Sequence, residues 1–223
     1  METLETLVAA VTLCIQDDSI TDAEIIATLN RGQLEVAGGA TRGYDVPTLP
    51  ALPLLSDDFT VSTEVGESSV AMPGTYHRDA FYGFNENGEQ IASYDSLFLF
   101  RKKFEYQPGS NVTAFCVVGN TIHYAGSPST VKDLTIHGFR LPVDMVNDDD
   151  TPDGVPVHLQ YRILFNYACM ELFGIIEQDQ SGGNDANYRK HSAMYGAALT
   201  DLHSAILKDQ PDEYIPVDNE FSI

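Results

Sequence analysis

"NDDDTPDGVP" (Asn147–Pro156) is the stretch on which the fold turns. Short alternating segments precede it and the most apolar run of the chain follows it. Four aspartates within six residues suggest a metal loop, whereas two prolines and a glycine suggest a junction. An EF-hand alignment starting at Asp149 puts Asp153 and Gly154 at useful positions. It also puts Thr151 at the third ligand position and Gln160 at the twelfth, where a bidentate glutamate is needed. The junction reading is the stronger one. Pro156 fits the first turn of a helix, where its missing N–H costs nothing, and aspartates ahead of a helix face the positive end of its dipole.

Behind the junction, Val157, Tyr161, Leu164, Phe165, Ala168, Leu172, Ile175 and Ile176 form a wide helical stripe. Leu159, Ile163, Met170 and Phe173 make most of the remaining surface apolar. A helix apolar nearly all round is central, or is covered by a neighbouring subunit, so these four are candidate interface residues. "SGGN" ends this helix, and another is expected over about 184–208. The tail beyond it contains Pro211 and Pro216, which end helices, yet it carries Tyr214, Ile215, Val217, Phe221 and Ile223. That makes 209–223 a candidate extended arm.

Ahead of the junction, Leu4, Leu7, Val8, Val11, Cys14 and Ile15 predict a helix to Ile15. Thr21 and Glu24 form a capping box that opens a second helix, ending at Gly38-Gly39. Three prolines mark 41–55 as a linker. Residues 56–146 read as a small antiparallel β unit, with turns at Asn87-Gly88 and Gly119-Asn120. A short helix is expected after Asp95 or Ser96. The fold class expected is α+β: a four-helix core (1–40 and 147–208), an inserted β unit and a C-terminal arm.

Composition excludes several functions. The net charge is −21, with 33 Asp and Glu against 12 Lys and Arg, so a surface that grips nucleic acid is not expected. Such a surface serves solubility, or lets a polyanion pass without sticking. The basic cluster Arg101-Lys102-Lys103 is either a solvated face or a patch for an acidic partner. Cys14, Cys116 and Cys169 are far apart and outside any CxxC pair, so neither zinc nor a disulfide framework is expected. His123 and His137 could share a face of the β unit. No nucleophile elbow, Walker loop or dinucleotide motif occurs, so neither catalytic residues nor a cofactor are expected. The acidic start fits no signal peptide, and no segment has the roughly 20 apolar residues of a membrane span.

Four stretches taken in order carry a resemblance: "ITDAEIIATLNRGQLEVA", "VTAFCVVGNTIHYAGSPSTVKDLTIHGFRLPVDM", "DDDTPDGVPVHLQYRILFNYACMELFG" and "DANYRKHSAMYGAALTDLHSAI". Together they resemble the head-to-tail adaptor (connector, head completion) proteins of tailed bacteriophages. Residues 59–94 match no pattern of that family, and Val157 stands where it often has a charged residue. The resemblance implies a structural virion protein at the portal vertex or neck, assembled in the host cytoplasm and serving genome packaging and ejection. It implies a homo-oligomeric ring, commonly twelvefold, that binds the portal and the tail, neck or nozzle proteins while DNA passes through its lumen. The tail residues would dock on the portal. The alternatives are an acidic capsid or baseplate decoration module, and a hydrolase with an unmarked site.

Overall fold

The computed structural model describes residues 2–39, 49–104, 109–178 and 185–209. The chain divides into two compact units, one formed by 1–54 with 142–223 and the other by 55–141. The expected arm at 209–223 lies outside the described residues, apart from Asp209, where the last helix ends.

The first unit contains α1 (Leu4–Ile15), α2 (Asp22–Ala37), α4 (Val157–Gln178) and α5 (Ala186–Asp209). Thr3 caps α1, and Thr21 with Glu24 forms the capping box of α2. Both α1 and α2 pack on α4, and α4 packs along α5. Leu4, Leu7 and Val11 of α1, Ile25 and Leu29 of α2, and Leu199 and Leu202 of α5 are all buried. The Glu177 carboxylate at the end of α4 accepts from the backbone N–H groups of Asn187 and Tyr188 in the first turn of α5. That satisfies donors which an open helix end would leave to water.

The junction is a clasp. The N–H of Leu4 donates to the carbonyl of Asp150 (2.8 Å), and that of Glu5 to the carbonyl of Asp148 (3.1 Å). Thr6 N–H is taken by the Thr3 hydroxyl. The acidic stretch therefore completes the N-terminus of α1, with backbone carbonyls as the acceptors. The aspartate side chains serve the loop itself. Asp150 accepts from the N–H groups of Val146 and Asn147, and Asp153 from that of Val143. Asn30 of α2 both donates to the Met145 carbonyl and accepts from its N–H, while buried Gln33 accepts from Asp153 N–H (2.6 Å). Gln160 of α4 donates to the carbonyls of Pro152 and Val155.

The second unit corrects the expected fold class. It is a seven-stranded mixed sheet with a helix of its own, so the protein has five described α-helices rather than a four-helix core with a small antiparallel unit. The strands are β1 (Ser56–Ser62), β2 (Ser69–Ala71), β3 (Tyr76–Phe84), β4 (Gln90–Ser93), β5 (Ala114–Val118), β6 (Thr121–Tyr124) and β7 (Asp133–Arg140). Their order is β1-β7-β3-β4-β5-β6-β2. β4 and β5 are parallel, and α3 (Leu97–Phe104) lies between them in sequence. Parallel neighbours require such a crossover, which local alternation does not reveal. The two glycine turns occur as expected, between β3 and β4 and between β5 and β6. Gly88 (φ 75°) and Gly119 (φ 59°) take the left-handed conformation there. Phe59, Val61, Phe115, Ile122, Leu134 and Ile136 form the core beneath the sheet.

Two predictions test this construction. A Cβ on Gly32 of α2 would lie 2.8 Å from Cδ1 of Tyr167 on α4. Alanine ordinarily gains roughly 1 kcal/mol over glycine inside a helix, but overpacking of about 1–3 kcal/mol outweighs that gain here. Gly32→Ala is therefore expected to lower the urea midpoint at unchanged m value. Hydrogen bonds from Asn147 and Val146 hold the Asp150 carboxyl below its ordinary pKa. Its contribution is present above the unfolded-state carboxylate pKa and is lost as pH falls through the lowered native value. The stability gap between wild type and Asp150→Ala, followed by urea titration at several pH values, should narrow on acidification.

Candidate docking surfaces

α3 carries the basic cluster. The Ser96 carbonyl accepts from Phe100 N–H, and the Ser96 hydroxyl accepts a longer bond (3.4 Å) from Leu99 N–H, so the helix starts where the sequence placed it. Phe100 is buried against Ala114, Cys116 and Ala125, with Tyr94, Leu97 and Phe104 packed around it. Arg101, Lys102 and Lys103 then fall in the last turn and are exposed. Three cations there complement the negative end of the helix dipole.

Lys103 is pinned. Its Nζ donates to the Tyr94 hydroxyl (2.6 Å) and lies 5.3 Å from the centre of the Tyr94 ring and 5.6 Å from that of Phe104. Burial, with a smaller contribution from the Arg101 charge, pushes the His123 imidazole below its ordinary pKa. Among the described residues no ion pair joins Arg101, Lys102 or Lys103 to a carboxylate. Phe98 (75% exposed) and Leu99 (44%) stand on the same helix. The surface of α3 is thus basic and apolar at once, in a chain that is otherwise acidic.

The other expected sites fall elsewhere. Leu159, Ile163, Met170 and Phe173 are buried within the single chain; the apolar residues that α4 exposes are Val157, Tyr161 and Ile175. Tyr214, Ile215, Val217, Phe221 and Ile223 lie outside the described residues. His123 and His137 do not share a pair of strands. β6 lies between β5 and β2, whereas β7 lies between β1 and β3. His137 Nδ1 instead donates to the Asp58 carboxylate at 2.8 Å, and its ring stacks on Tyr82 at 4.6 Å. The sequence "SLFLFRKKF" shows the apolar residues of this helix but not that Phe98 and Leu99, rather than Phe100, face outward.

Residues 2–218 match the model of the family described as SU10 adaptor protein. No curated protein matches the chain significantly. Among the described residues no helix is long and apolar enough to cross a membrane.

Phe100 anchors α3, so Phe100→Ala is expected to cost about 3–5 kcal/mol in denaturant unfolding, the usual range for a buried phenylalanine. Arg101→Glu with Lys102→Glu should cost less, on the order of 1–2 kcal/mol, because it reverses two exposed charges at the negative end of the helix dipole. That contrast identifies the charge-reversed protein as a folded reagent for binding assays.

Proposed function

The chain belongs to the SU10 adaptor protein family, a family of phage adaptors and hence of virion components, and we propose that it acts as a head-to-tail adaptor. In this reading copies of the chain form a ring below the portal, twelvefold as the resemblance implies. The ring links the capsid vertex to tail or neck proteins and continues the DNA channel. It does so without a catalytic step. The family match across nearly the whole chain is the observation that carries the reading.

Charge supports it. A net charge of −21 makes the surface repulsive to DNA, which suits a conduit through which DNA slides. The basic and apolar surface of α3 suits an acidic neighbour, because opposite potentials orient an encounter and suppress wrong partners. The apolar tail residues Tyr214, Ile215, Val217, Phe221 and Ile223 suit an arm that orders on the portal.

Imaging of the purified chain by electron microscopy, alone and mixed with the portal encoded in the same genome, tests the proposal. A ring stacked on the portal is expected, and its symmetry gives the copy number. Chains that stay apart from the portal in every mixture would overturn the reading in favour of a decoration module. Truncation after Lys208 should leave the circular dichroism of the fold intact and abolish attachment. A truncated chain that still attaches removes the tail from the docking role.

A further inference from the structure

α1, α4 and α5 bring Cys14, Cys169 and His191 together inside the helical unit. Their sulfur and imidazole nitrogen atoms all lie within 4.8 Å of one another. Cys169 and His191 are buried, and Cys14 is partly exposed. The three stand far apart in sequence, so no ligand-spacing motif announces them.

The imidazole is held in one tautomer. Asn166 donates its Nδ2 to the Arg162 carbonyl (2.7 Å), which turns its Oδ1 toward His191 Nδ1 at 2.9 Å. An amide oxygen only accepts, so Nδ1 carries the proton and Nε2 keeps its lone pair. Nε2 stands 3.6 Å from Cys14 Sγ. Phe173 stacks on the ring and Phe165 meets it edge-on, each 5.7 Å away. The ring is therefore oriented by packing and by a hydrogen bond at the nitrogen remote from the thiols. Metal-binding histidines show this arrangement, with the second nitrogen donating to an oxygen.

We propose that Cys14, Cys169 and His191 form a binding site for one Zn2+ ion that ties α1, α4 and α5 together. The distances fit. Tetrahedral zinc with Zn–S of ~2.3 Å and Zn–N of ~2.0–2.1 Å places its sulfur and nitrogen about 3.6 Å apart, which is the separation of Cys14 from His191. The donor set, two thiolates and an imidazole, is one that zinc favours. As the ion enters, the two thiol protons leave to solvent and two Zn–S bonds and one Zn–N bond form. Water completes the tetrahedron from the side of Cys14, the partly exposed member. The site is independent of the adaptor reading, because it concerns the folding of one chain rather than its partners.

The test uses the full-length chain. Protein produced with zinc in the medium should carry one zinc per chain by elemental mass spectrometry. Replacement with Co2+ should produce thiolate-to-cobalt charge-transfer absorption and visible bands of tetrahedral intensity. Cys14→Ser, at the partly exposed member, should retain the far-ultraviolet spectrum of the fold and lose the charge-transfer intensity contributed by its sulfur. Asn166→Ala leaves every ligand in place and should weaken zinc about 10–100-fold, the usual effect of removing such a partner. A folded wild-type chain that holds no zinc and gives no cobalt–thiolate band overturns the proposal. So does a Cys14→Ser chain that binds zinc as tightly as wild type, or a Cys14–Cys169 disulfide in freshly isolated protein that excludes the ion.

Discussion

Everything in the helical unit depends on how residues 142–156 satisfy their backbone polar groups. The unit is made from two separated parts of the chain, with the whole sheet-bearing unit inserted between them. Closing so long an insertion is entropically unfavourable, but the penalty rises only with the logarithm of its length. Specific contacts at the closing point can therefore offset it. Asn30 treats Met145 as one strand treats another, donating to its carbonyl and accepting from its N–H. Gln33 takes Asp153 N–H, and the first turn of α1 uses the carbonyls of Asp148 and Asp150. Each bond satisfies a group that would otherwise be costly to bury. Three helices, α1, α2 and α4, are thereby hydrogen-bonded to one short segment.

This dependence explains the aspartates better than either reading drawn from sequence. A metal loop would leave their carboxylates converging on an empty centre. Here they diverge, Asp150 toward Val146 and Asn147 and Asp153 toward Val143. The junction reading anticipated the entry into α4, which begins at Val157, but not the other contacts of the segment. The segment faces the N-terminus of α1 and the side of α2 as well as the start of α4. Short polar side chains are what such a turn needs, because they take up nearby N–H groups and hold the loop carbonyls outward.

The legible parts of the fold were those encoded locally. Thr21 and Glu24 announce α2 because a capping box lies within four residues. Asn87-Gly88 and Gly119-Asn120 announce hairpin turns because the left-handed conformation selects glycine. The illegible parts were pairings between distant segments. Alternation in "SDDFTVS" shows which residues of β1 face the core, yet nothing in it names β7 as partner. The parallel β4–β5 pair hid for the same reason, since α3 reads as a helix without declaring that it is a crossover. Among the candidate surfaces, the charges of Arg101, Lys102 and Lys103 were visible, whereas their placement beside exposed Phe98 and Leu99 needed the packing of Phe100. Cys14 and Cys169 were visible and set aside and His191 went unremarked, because motif spacing detects donor groups from one turn or hairpin and not from three helices.

Charge distribution supplies the last constraint. With so few cations in the chain, where each one is used matters. Arg162 is paired with Asp201 across α4 and α5, Lys132 with Glu86, and Arg189 with Asp185. These pairs sit within one unit or one helix and neutralise carboxylates locally. The Arg162 and Arg189 pairs are exposed and add little stability, whereas the Lys132 side chain is largely buried, and in all three the cation is matched by a nearby carboxylate. The α3 cluster is treated differently. It gathers three cations in one turn, pins one of them over aromatic rings, and adds exposed apolar side chains. A residue placed for solubility gains nothing from being pinned, whereas a binding group does, because an amine already held loses less side-chain entropy on contact. The organisation of Lys103 by Tyr94 and Phe104 is thus in keeping with the proposal that α3 meets an acidic partner.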